Sequence, residues 1–267
     1  MTWLCAHFAV TPGGFYAWRQ RGVSAHAKQD RVLTTAIIRL FTLHQERYGS
    51  PRLHRALVNA GWTVSRRRVA RLMAAAGLRA KAVRGYRAKA TMHHRYARHP
   101  NLLWTTDVVT ANQVWVGDIT YFKVAGCWRY LAIVMDQYSR RILAWSLTRR
   151  RTSAVTCAVL ADAARRRPPA GVIFHSDRGS EYMGAAFCAA VTTLGMRQSA
   201  NVRGPGDNAH AESFWHSRKA EATRGVVFIT EAALQTALRR YIRYYNRTRL
   251  HSSLNYTSPI AFERCAA

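Results

Sequence analysis

The stretch NQVWVGDITYF, at residues 112–122, decides the fold that this sequence predicts. From residue 114 to residue 121 the side chains follow the two-residue period of a β-strand, and the strand carries one carboxylate, Asp118. A buried carboxylate without a partner is energetically costly. Asp118 is therefore either a structural hydrogen-bonding residue or part of a functional site.

The segments that follow predict an α/β fold. RYLAIVMD (129–136), ILAWSL (142–147) and GVIFHSD (171–177) are predicted strands, and a short strand is predicted near Met196–Ser199. Helices are predicted from Thr152 or Ser153 to Pro168, between Asp177 and Gly195, from Asp207 or Asn208 onward, and over 231–246. This order predicts a mixed five-stranded sheet flanked by helices. Asp177 ends a strand, where open α/β sheets bind ligands.

The first part of the chain predicts an all-α region. Its helices are expected over 30–46, from Pro51 to about Asn59, and from Arg66 to about Ala76, the last capped by Ser65. Two short helices joined by a tight turn at Gly61 are typical of a helix-turn-helix. The second of them carries four arginines that we predict to contact DNA, namely Arg66, Arg67, Arg68 and Arg71. The alternative is a plain helical hairpin with a solvated basic face.

Three regions follow from these patterns. A helical DNA-binding region is predicted at 1–80, a basic linker at 81–108, and the α/β core with its C-terminal helices at 109–267. The linker is rich in basic residues and poor in apolar runs, which suits either tracking a phosphate backbone or a plain tether.

The charge of the chain indicates a polyanionic partner. There are 41 Lys+Arg against 13 Asp+Glu, a formal net charge of +28 and a pI near 11.3. Phosphate neutralisation supplies most non-specific affinity for nucleic acid. The five cysteines are scattered and form no CxxC pair, which argues against a disulfide framework or a zinc knuckle. No secretory signal and no membrane-length apolar run is evident, so we expect a cytoplasmic protein, associated with the nucleoid when bound to DNA.

Acidic residues are scarce in this chain, and three of them form a candidate metal site. Asp118 and Asp177 lie on predicted strands and Glu212 on a helix. Carboxylates are the hard ligands that Mg²⁺ prefers, and two divalent ions promote phosphodiester chemistry. Each residue also has a structural alternative: Asp118 as a hydrogen-bonding residue, Asp177 as a turn cap and Glu212 in a surface ion pair. Asp107 and Asp136 are rival candidates, and Asp136 is more typical of a turn or an ion pair.

A polar stripe lies on the helix of Glu212. Asn208, His216 and Lys219 are four residues before, four after and seven after it. This stripe fits a face turned toward metal and DNA, and we predict DNA contacts from these three residues and from Arg178.

At these residues the sequence resembles the second-frame (OrfB-type) transposases of the insertion-sequence-three family, members of the retroviral-integrase superfamily. The resemblance covers nearly the whole chain and rests on eight segments in order: TPGGFYAW (11–18), RYGSPRLHRAL (47–57), VSRRRVARLM (64–73), NQVWVGDITY (112–121), MDQYSRRILAW (135–145), FHSDRGSEY (174–182), DNAHAESF (207–214) and YYNRTRLHSSLNYTSP (244–259).

The resemblance implies a ribonuclease-H-like catalytic core preceded by a helix-turn-helix. It implies that Asp118, Asp177 and Glu212 form the acidic triad of a DDE-type transposase, binding Mg²⁺ or Mn²⁺, with two ions expected. It implies cleavage at insertion-sequence ends followed by strand transfer into target DNA. It also implies a homo-oligomer on DNA and an upstream-frame protein as fusion or partner.

The chain departs from the family pattern at one spacing. Between Asp177 and Glu212 there are 34 residues (178–211), against thirty-five in most of the family, and the difference falls in the loop 202–206. The alternative function is therefore a catalytically impaired copy that acts as a DNA-binding protein or repressor. A third hypothesis, a nuclease on RNA–DNA hybrids, has no need of the N-terminal helices.

Overall fold

The computed structural model describes residues 1–81, 99–201, 209–223 and 226–266. The chain divides between residues 82 and 83 into two compact units. Most of the predicted basic linker, residues 82–98, lies outside the described residues, as do Asn208 and the loop 202–206.

The described residues of the N-terminal unit form five helices and no strand. Its helices are α1 (Thr2–His7), α2 (Pro12–Gln20), α3 (Ala25–Leu43), α4 (Ser50–Asn59) and α5 (Arg66–Ala75). Side-chain oxygens of Thr11, Ser24 and Ser65 cap α2, α3 and α5 by accepting a backbone N–H three residues on. The Ser65 cap confirms the predicted start of α5, whereas α3 begins at Ala25, before the predicted residue 30, because Ser24 caps it there.

Helices α3, α4 and α5 share one small core. Its buried side chains recur at helical spacing on each helix: Leu33, Ile37 and Phe41; Leu53 and Leu57; Val69, Leu72 and Met73. A turn with Gly61 at a φ of +87° joins α4 to α5, a conformation that glycine adopts at little cost. The predicted pair of short helices is therefore present.

The C-terminal unit is built on one five-stranded sheet. Its strands are β1 (Val114–Val124), β2 (Cys127–Asp136), β3 (Ile142–Thr148), β4 (Ile173–Ser176) and β5 (Arg197–Ala200), in the order β3-β2-β1-β4-β5. Strands β1, β2 and β3 pair antiparallel, while β4 runs parallel to β1 and β5 parallel to β4. The mixed five-stranded sheet confirms the predicted ribonuclease-H-like fold.

Helices cover both faces of this sheet. They are α6 (Ser153–Arg166), α7 (Ser180–Met183), α8 (Ala185–Thr193), α9 (Ala209–Arg218), α10 (Glu231–Arg247) and α11 (Pro259–Ala266). One face of the sheet packs in a core with Leu160 and Phe187, from α6 and α8, and the other with Phe214 and Leu238, from α9 and α10. A π-helical segment, Lys219–Thr223, continues α9, and it places Lys219 at the change from α- to π-helical geometry.

The end of the predicted linker contacts the sheet. The backbone N–H of Ala200 donates to the carbonyl of Pro100 (3.2 Å), and that of Leu102 donates to Ser199 Oγ (3.0 Å). These bonds bring residues 100–102 alongside β5, and a short 3₁₀ helix, Leu102–Thr105, follows.

Candidate active site

Asp118 lies in the middle of β1, on the face of the sheet that α9 covers. Its Oδ1 accepts the backbone N–H of Ile119 (2.7 Å), and its Oδ2 accepts the indole N–H of Trp215 on α9 (2.8 Å). Both oxygens of this half-buried carboxylate are therefore oriented by N–H donors, and one of them joins strand β1 to helix α9.

Asp177 follows the last residue of β4. The parallel pairing of β4 with β1 ends with His175 beside Val116, so Asp177 and Asp118 each lie two residues beyond the last pair, and the charge of Asp177 acts on Asp118. Its Oδ1 accepts the backbone N–H of Gly179 (3.0 Å). The turn cap predicted as the structural alternative is thus present, and the side chain remains exposed.

Glu212 lies in the first turn of α9, three residues before Trp215. Residues three apart on a helix share a face, so the indole that bonds Asp118 also turns the Glu212 side of α9 toward β1. Burial raises the pKa of Glu212, and the nearby His216 opposes that shift.

The three carboxylates interact electrostatically. Burial, the largest cause, and the charges of Asp177 and Glu212 raise the pKa of Asp118 to about 7, against the lowering effect of its two hydrogen bonds. Two of these carboxylates also act on Tyr182, whose pKa is raised first by burial and then by Asp118 and Asp177. Residues that are far apart in sequence therefore form one electrostatic site.

The three candidate carboxylates take no part in the ion pairs of the described residues. Within the described residues, the acidic side chains that form no ion pair are Asp107, Asp118, Asp177 and Glu212. In the same part of the chain, no group of three or more His, Cys, Asp or Glu side chains is close enough to hold a metal ion. The carboxylates interact with one another without forming a closed metal cage.

The two rival acidic residues have other surroundings. Asp136 is fully buried, and its oxygens accept the N–H and hydroxyl of Ser139 and the N–H of Asn112. It closes the β2–β3 turn, as its position predicted. Asp107 is exposed ahead of β1.

The predicted DNA contacts of the C-terminal unit lie in different environments. Lys219 is exposed, while Arg178 and His216 are half-buried. The Nε of Arg178 is buried and has no hydrogen-bond partner among the described residues. Asn208 lies outside those residues.

Two of the four arginines predicted to contact DNA on α5 form ion pairs inside the N-terminal unit. Arg68 Nε bonds Asp30 Oδ1 (2.7 Å) and Arg71 Nη2 bonds Asp30 Oδ2 (2.6 Å), which ties α5 to α3. Arg66 and Arg67 are exposed.

Comparison with known proteins identifies the family. The family model "Integrase core domain" matches residues 109–204, a second model of the same description matches 197–259, and "HTH-like domain" matches 28–86. The transposase InsF for insertion sequence IS3A of Escherichia coli strain K12 is 35% identical over 97% of this chain and 92% of its own length. The chain belongs to the IS3 family of transposases. An insertion element IS600 protein of 31 kDa from Shigella sonnei is 38% identical to this transposase over 97% of each chain.

Solved structures with similar folds include retroviral integrase cores. The catalytic core domain of HTLV-2 integrase, in complex with magnesium, matches 58% of this transposase and 98% of its own chain, with 15% identity and a TM-score of 0.43. The core domain of BIV integrase matches 58% of this transposase and 95% of its own chain, with 13% identity and a TM-score of 0.43.

Among the described residues, no helix has the length and apolar character needed to cross a membrane.

Sequence reasoning missed one residue of the site. Trp215 donates a hydrogen bond to Asp118, whereas a tryptophan on an apolar helix face is normally predicted to be a core residue. Its spacing of three from Glu212 was the available signal, because two residues at that spacing face the same neighbour.

Proposed function

We propose that this transposase catalyses divalent-metal-dependent cleavage of DNA at the ends of its insertion sequence and transfer of the freed strand into target DNA. In the first step water attacks the scissile phosphodiester, the bond from phosphorus to the 3′ oxygen breaks, and that oxygen leaves as a 3′-hydroxyl. In the second step this hydroxyl attacks a target phosphodiester, forms a new 3′–5′ linkage and releases a 3′-hydroxyl of the target strand. No covalent protein–DNA bond forms.

One observation carries the proposal. Asp118, Asp177 and Glu212 come from two strands and a helix, and the charges of the latter two both raise the pKa of Asp118. In a chain of net charge +28, arginine partners would readily remove that repulsion. Within the described residues these three carboxylates nevertheless form no ion pair. The arrangement suits a site in which another cation supplies the counter-charge.

A divalent metal ion fits this donor set. Carboxylate oxygens are hard ligands, and Mg²⁺ keeps several of its waters, so few protein ligands suffice. We propose that Asp118, Asp177 and Glu212 hold Mg²⁺ or Mn²⁺, with two ions in the reacting complex. Bound ions of this kind stabilise the attacking and leaving oxygens of a phosphodiester.

The protein itself orients the carboxylates. The Ile119 and Trp215 N–H donors fix the plane of the Asp118 carboxylate, and the N–H of Gly179 holds one oxygen of Asp177. Because these oxygens are held before DNA binds, less ordering is left for the reacting complex.

DNA binding is assigned to two sets of basic residues. Arg66 and Arg67 are exposed on α5 and are proposed to contact transposon-end DNA, while Arg178, His216 and Lys219 are proposed to contact DNA near the cleaved phosphate. Arg68 and Arg71 bind Asp30, so their contribution to DNA binding requires a phosphate to share or replace that carboxylate. Asn208 stays a prediction from sequence.

The assembly that acts on DNA is part of the same proposal. We propose a homo-oligomer on transposon-end and target DNA, acting on the bacterial nucleoid in the cytoplasm. Participation of the upstream-frame protein, as fusion or partner, stays a prediction.

A cleavage assay tests the proposed function. Supercoiled plasmid carrying both insertion-sequence ends is incubated with the protein and Mg²⁺, and 3′-end release and strand joining are measured on gels. Asp118→Asn, Asp177→Asn and Glu212→Gln are each expected to reduce both products to background while DNA affinity stays within about twofold, since none removes a phosphate-binding cation. The exposed Asp107→Asn is the matched control and is expected to cleave like the wild-type protein.

Two outcomes would contradict the proposal. If a variant that combines Asp118→Asn, Asp177→Asn and Glu212→Gln still joined the DNA ends, the catalytic site would lie elsewhere in the molecule. Salt-sensitive DNA binding by the wild-type protein without Mg²⁺-stimulated cleavage would favour the impaired, repressor-like copy. An RNA–DNA hybrid run in parallel separates transposition from hybrid degradation.

A further inference from the structure

A buried polar cluster lies at the C-terminal end of α9, beyond the candidate active site. Glu221, in the π-helical segment, and Arg249, after α10, are each 4% exposed. Arg249 grips both oxygens of Glu221, with Nη2 2.8 Å from Oε1 and Nε 3.0 Å from Oε2. Three other side chains belong to the cluster. Arg249 Nη2 donates to Ser217 Oγ (2.9 Å), and the Tyr241 hydroxyl donates to Glu221 Oε2 (3.2 Å). Arg249 Nη1 also lies 3.3 Å from Nδ1 of the buried His251.

The cluster ties one helix to two other parts of the core. Glu221 and Ser217 belong to α9 and its π-helical continuation, while Tyr241 lies on α10. Arg249 is itself anchored, because its backbone N–H donates to the Tyr244 carbonyl (2.9 Å). The directional bonds therefore fix the rotation of α9 as well as its distance from α10.

Stability alone is a weak reason for this arrangement. Desolvating two charges offsets most of their attraction, and an apolar replacement of a buried ion pair is often as stable. A bidentate pair supplies directional geometry that apolar packing lacks. The π-helical geometry points the same way, since isolated π turns within helices are rare and often lie at functional sites.

Because Glu212 and Glu221 lie on one continuous helical segment, a rotation of that segment at the cluster would also displace the carboxylate of Glu212. The two glutamates are nine residues apart, roughly 13 Å along a helix axis. A carboxylate about 6 Å from the axis moves about 1 Å when the helix rotates by roughly 10°. Mg²⁺ demands near-ideal octahedral geometry, and a 1 Å misplacement at a reacting centre can reduce the rate about a hundredfold.

We propose that Glu221 and Arg249 are a positioning pair: they set the rotation of α9 and thereby hold Glu212 where it can share a metal ion with Asp118. The inference rests on the proposed function, because it takes Glu212 to be a metal ligand. Neither residue of the pair contacts DNA or metal in this scheme.

Metal binding is the decisive readout, because it needs no turnover. The dissociation constant of Mn²⁺ is measured on the full chain by electron paramagnetic resonance of the free ion. Glu221→Gln, which keeps the shape of the side chain, and Arg249→Lys, which keeps its charge, are each expected to weaken Mn²⁺ binding at least tenfold. The Mg²⁺ concentration for half-maximal cleavage is expected to rise by a similar factor, while DNA affinity stays within about twofold.

The chain offers a matched control pair elsewhere in the same unit. Arg167 and Glu263 also form a close ion pair (2.6 Å), with side chains 13% and 12% exposed, and they join the end of α6 to α11. Glu263→Gln and Arg167→Lys are expected to lower thermal stability about as much as the test variants while leaving Mn²⁺ affinity unchanged. Test variants that lose stability but keep wild-type Mn²⁺ affinity would overturn the inference.

Two further variants complete the test of the positioning role. Ser217→Ala removes one hydrogen bond of the cluster and tests the inference even if Glu221→Gln and Arg249→Lys fail to fold. Mn²⁺ binding about threefold weaker than in the wild-type protein supports the positioning role, and unchanged Mn²⁺ binding overturns it. Glu212→Gln separates this inference from the proposed function. If Glu212→Gln binds Mn²⁺ like the wild-type protein, the proposed metal site is wrong; if it loses Mn²⁺ while Glu221→Gln and Arg249→Lys retain it, the positioning role alone is wrong.

Discussion

Replacing Asp118 by asparagine is expected to stabilise the metal-free protein at alkaline pH. The folded-state pKa of Asp118 is raised to about 7 from the ordinary value of 3.8, chiefly by burial and then by the charge of Asp177. The folded protein therefore retains a proton that the unfolded chain has already released. The contribution of Asp118 to the free energy of unfolding therefore falls as pH rises between these two pKa values and becomes constant above the higher one.

The size of the effect follows from the pH interval. Each pH unit between the two pKa values costs about 1.4 kcal/mol. Between pH 5 and pH 8 the wild-type protein crosses about two of those units, which gives roughly 3 kcal/mol. Partial solvent access to Asp118 screens the charges, so we expect about 2 kcal/mol. The asparagine side chain of the variant does not titrate, so the free energy of unfolding of the variant should lack this decline.

The assay is urea unfolding in the presence of a chelator. Both proteins are unfolded at pH 5, 6, 7 and 8, with tryptophan fluorescence as the signal and linear extrapolation to zero urea. The advantage of the variant should grow with pH up to about pH 7 and then stay constant. Adding Mg²⁺ at pH 8 should raise the free energy of unfolding of the wild-type protein more than that of the variant, because an ion bound only by the folded state stabilises that state.

Parallel stability curves for the two proteins between pH 5 and pH 8 would refute this reasoning. The exposed Asp107→Asn is the control for removal of a carboxylate from the same unit, and it is expected to follow the wild-type protein. Equal stabilisation of Asp118→Asn and wild-type protein by Mg²⁺ would instead show that Asp118 is not a ligand.

Further predictions concern packing, salt dependence and acid stability. A Cβ on Gly117 would collide with the ring of Phe174; Gly117→Ala should lower the free energy of unfolding by about 1–3 kcal/mol, and Phe174→Leu should relieve part of that loss in a double-mutant cycle. Asp30→Asn frees two arginines of α5, so the slope of log affinity for DNA against log salt should steepen by up to about two, roughly 0.9 for each arginine that contacts a phosphate. Burial raises the pKa of Glu263, but its arginine and serine partners outweigh burial and hold that pKa below its usual 4.5. The stability advantage of the wild-type protein over Glu263→Gln should be full above pH 4.5 and disappear as pH falls through the lowered pKa.

The strands and helices that carry the candidate site could be predicted because their patterns are local. Alternation along residues 114–121 predicted β1 with Asp118 inside it, and the apolar run before Asp177 predicted β4. Both strands are present, as Val114–Val124 and Ile173–Ser176. Ser65 was a predicted cap, and it accepts the N–H of Arg68. Side-chain period and capping depend on a few neighbouring residues, which is why sequence alone was sufficient there.

Contacts between distant residues could not be predicted in the same way. Nothing local pairs Asp30 with arginines about forty residues later in the chain, so all four basic side chains of α5 were interpreted as DNA contacts. Arg249 and Glu221 are likewise separated by a whole helix, and the π-helical geometry of Lys219–Thr223 has no sequence signature. These features depend on tertiary packing, which overrides local preference.

Acidic residues of the candidate site differ from the other acidic residues of the described core in their partners. Arginines neutralise acidic side chains throughout the described core: Glu221, Glu231 and Glu263 each hold at least one guanidinium. At Asp118 the fold does the opposite, since two other carboxylates raise its pKa and N–H donors are its hydrogen-bond partners. In the proposed site a metal ion would displace a proton from Asp118 below about pH 7, so metal affinity is expected to weaken as pH falls. Repulsion among the three carboxylates disfavours the fully ionised site, and the metal ion proposed for it would relieve that repulsion.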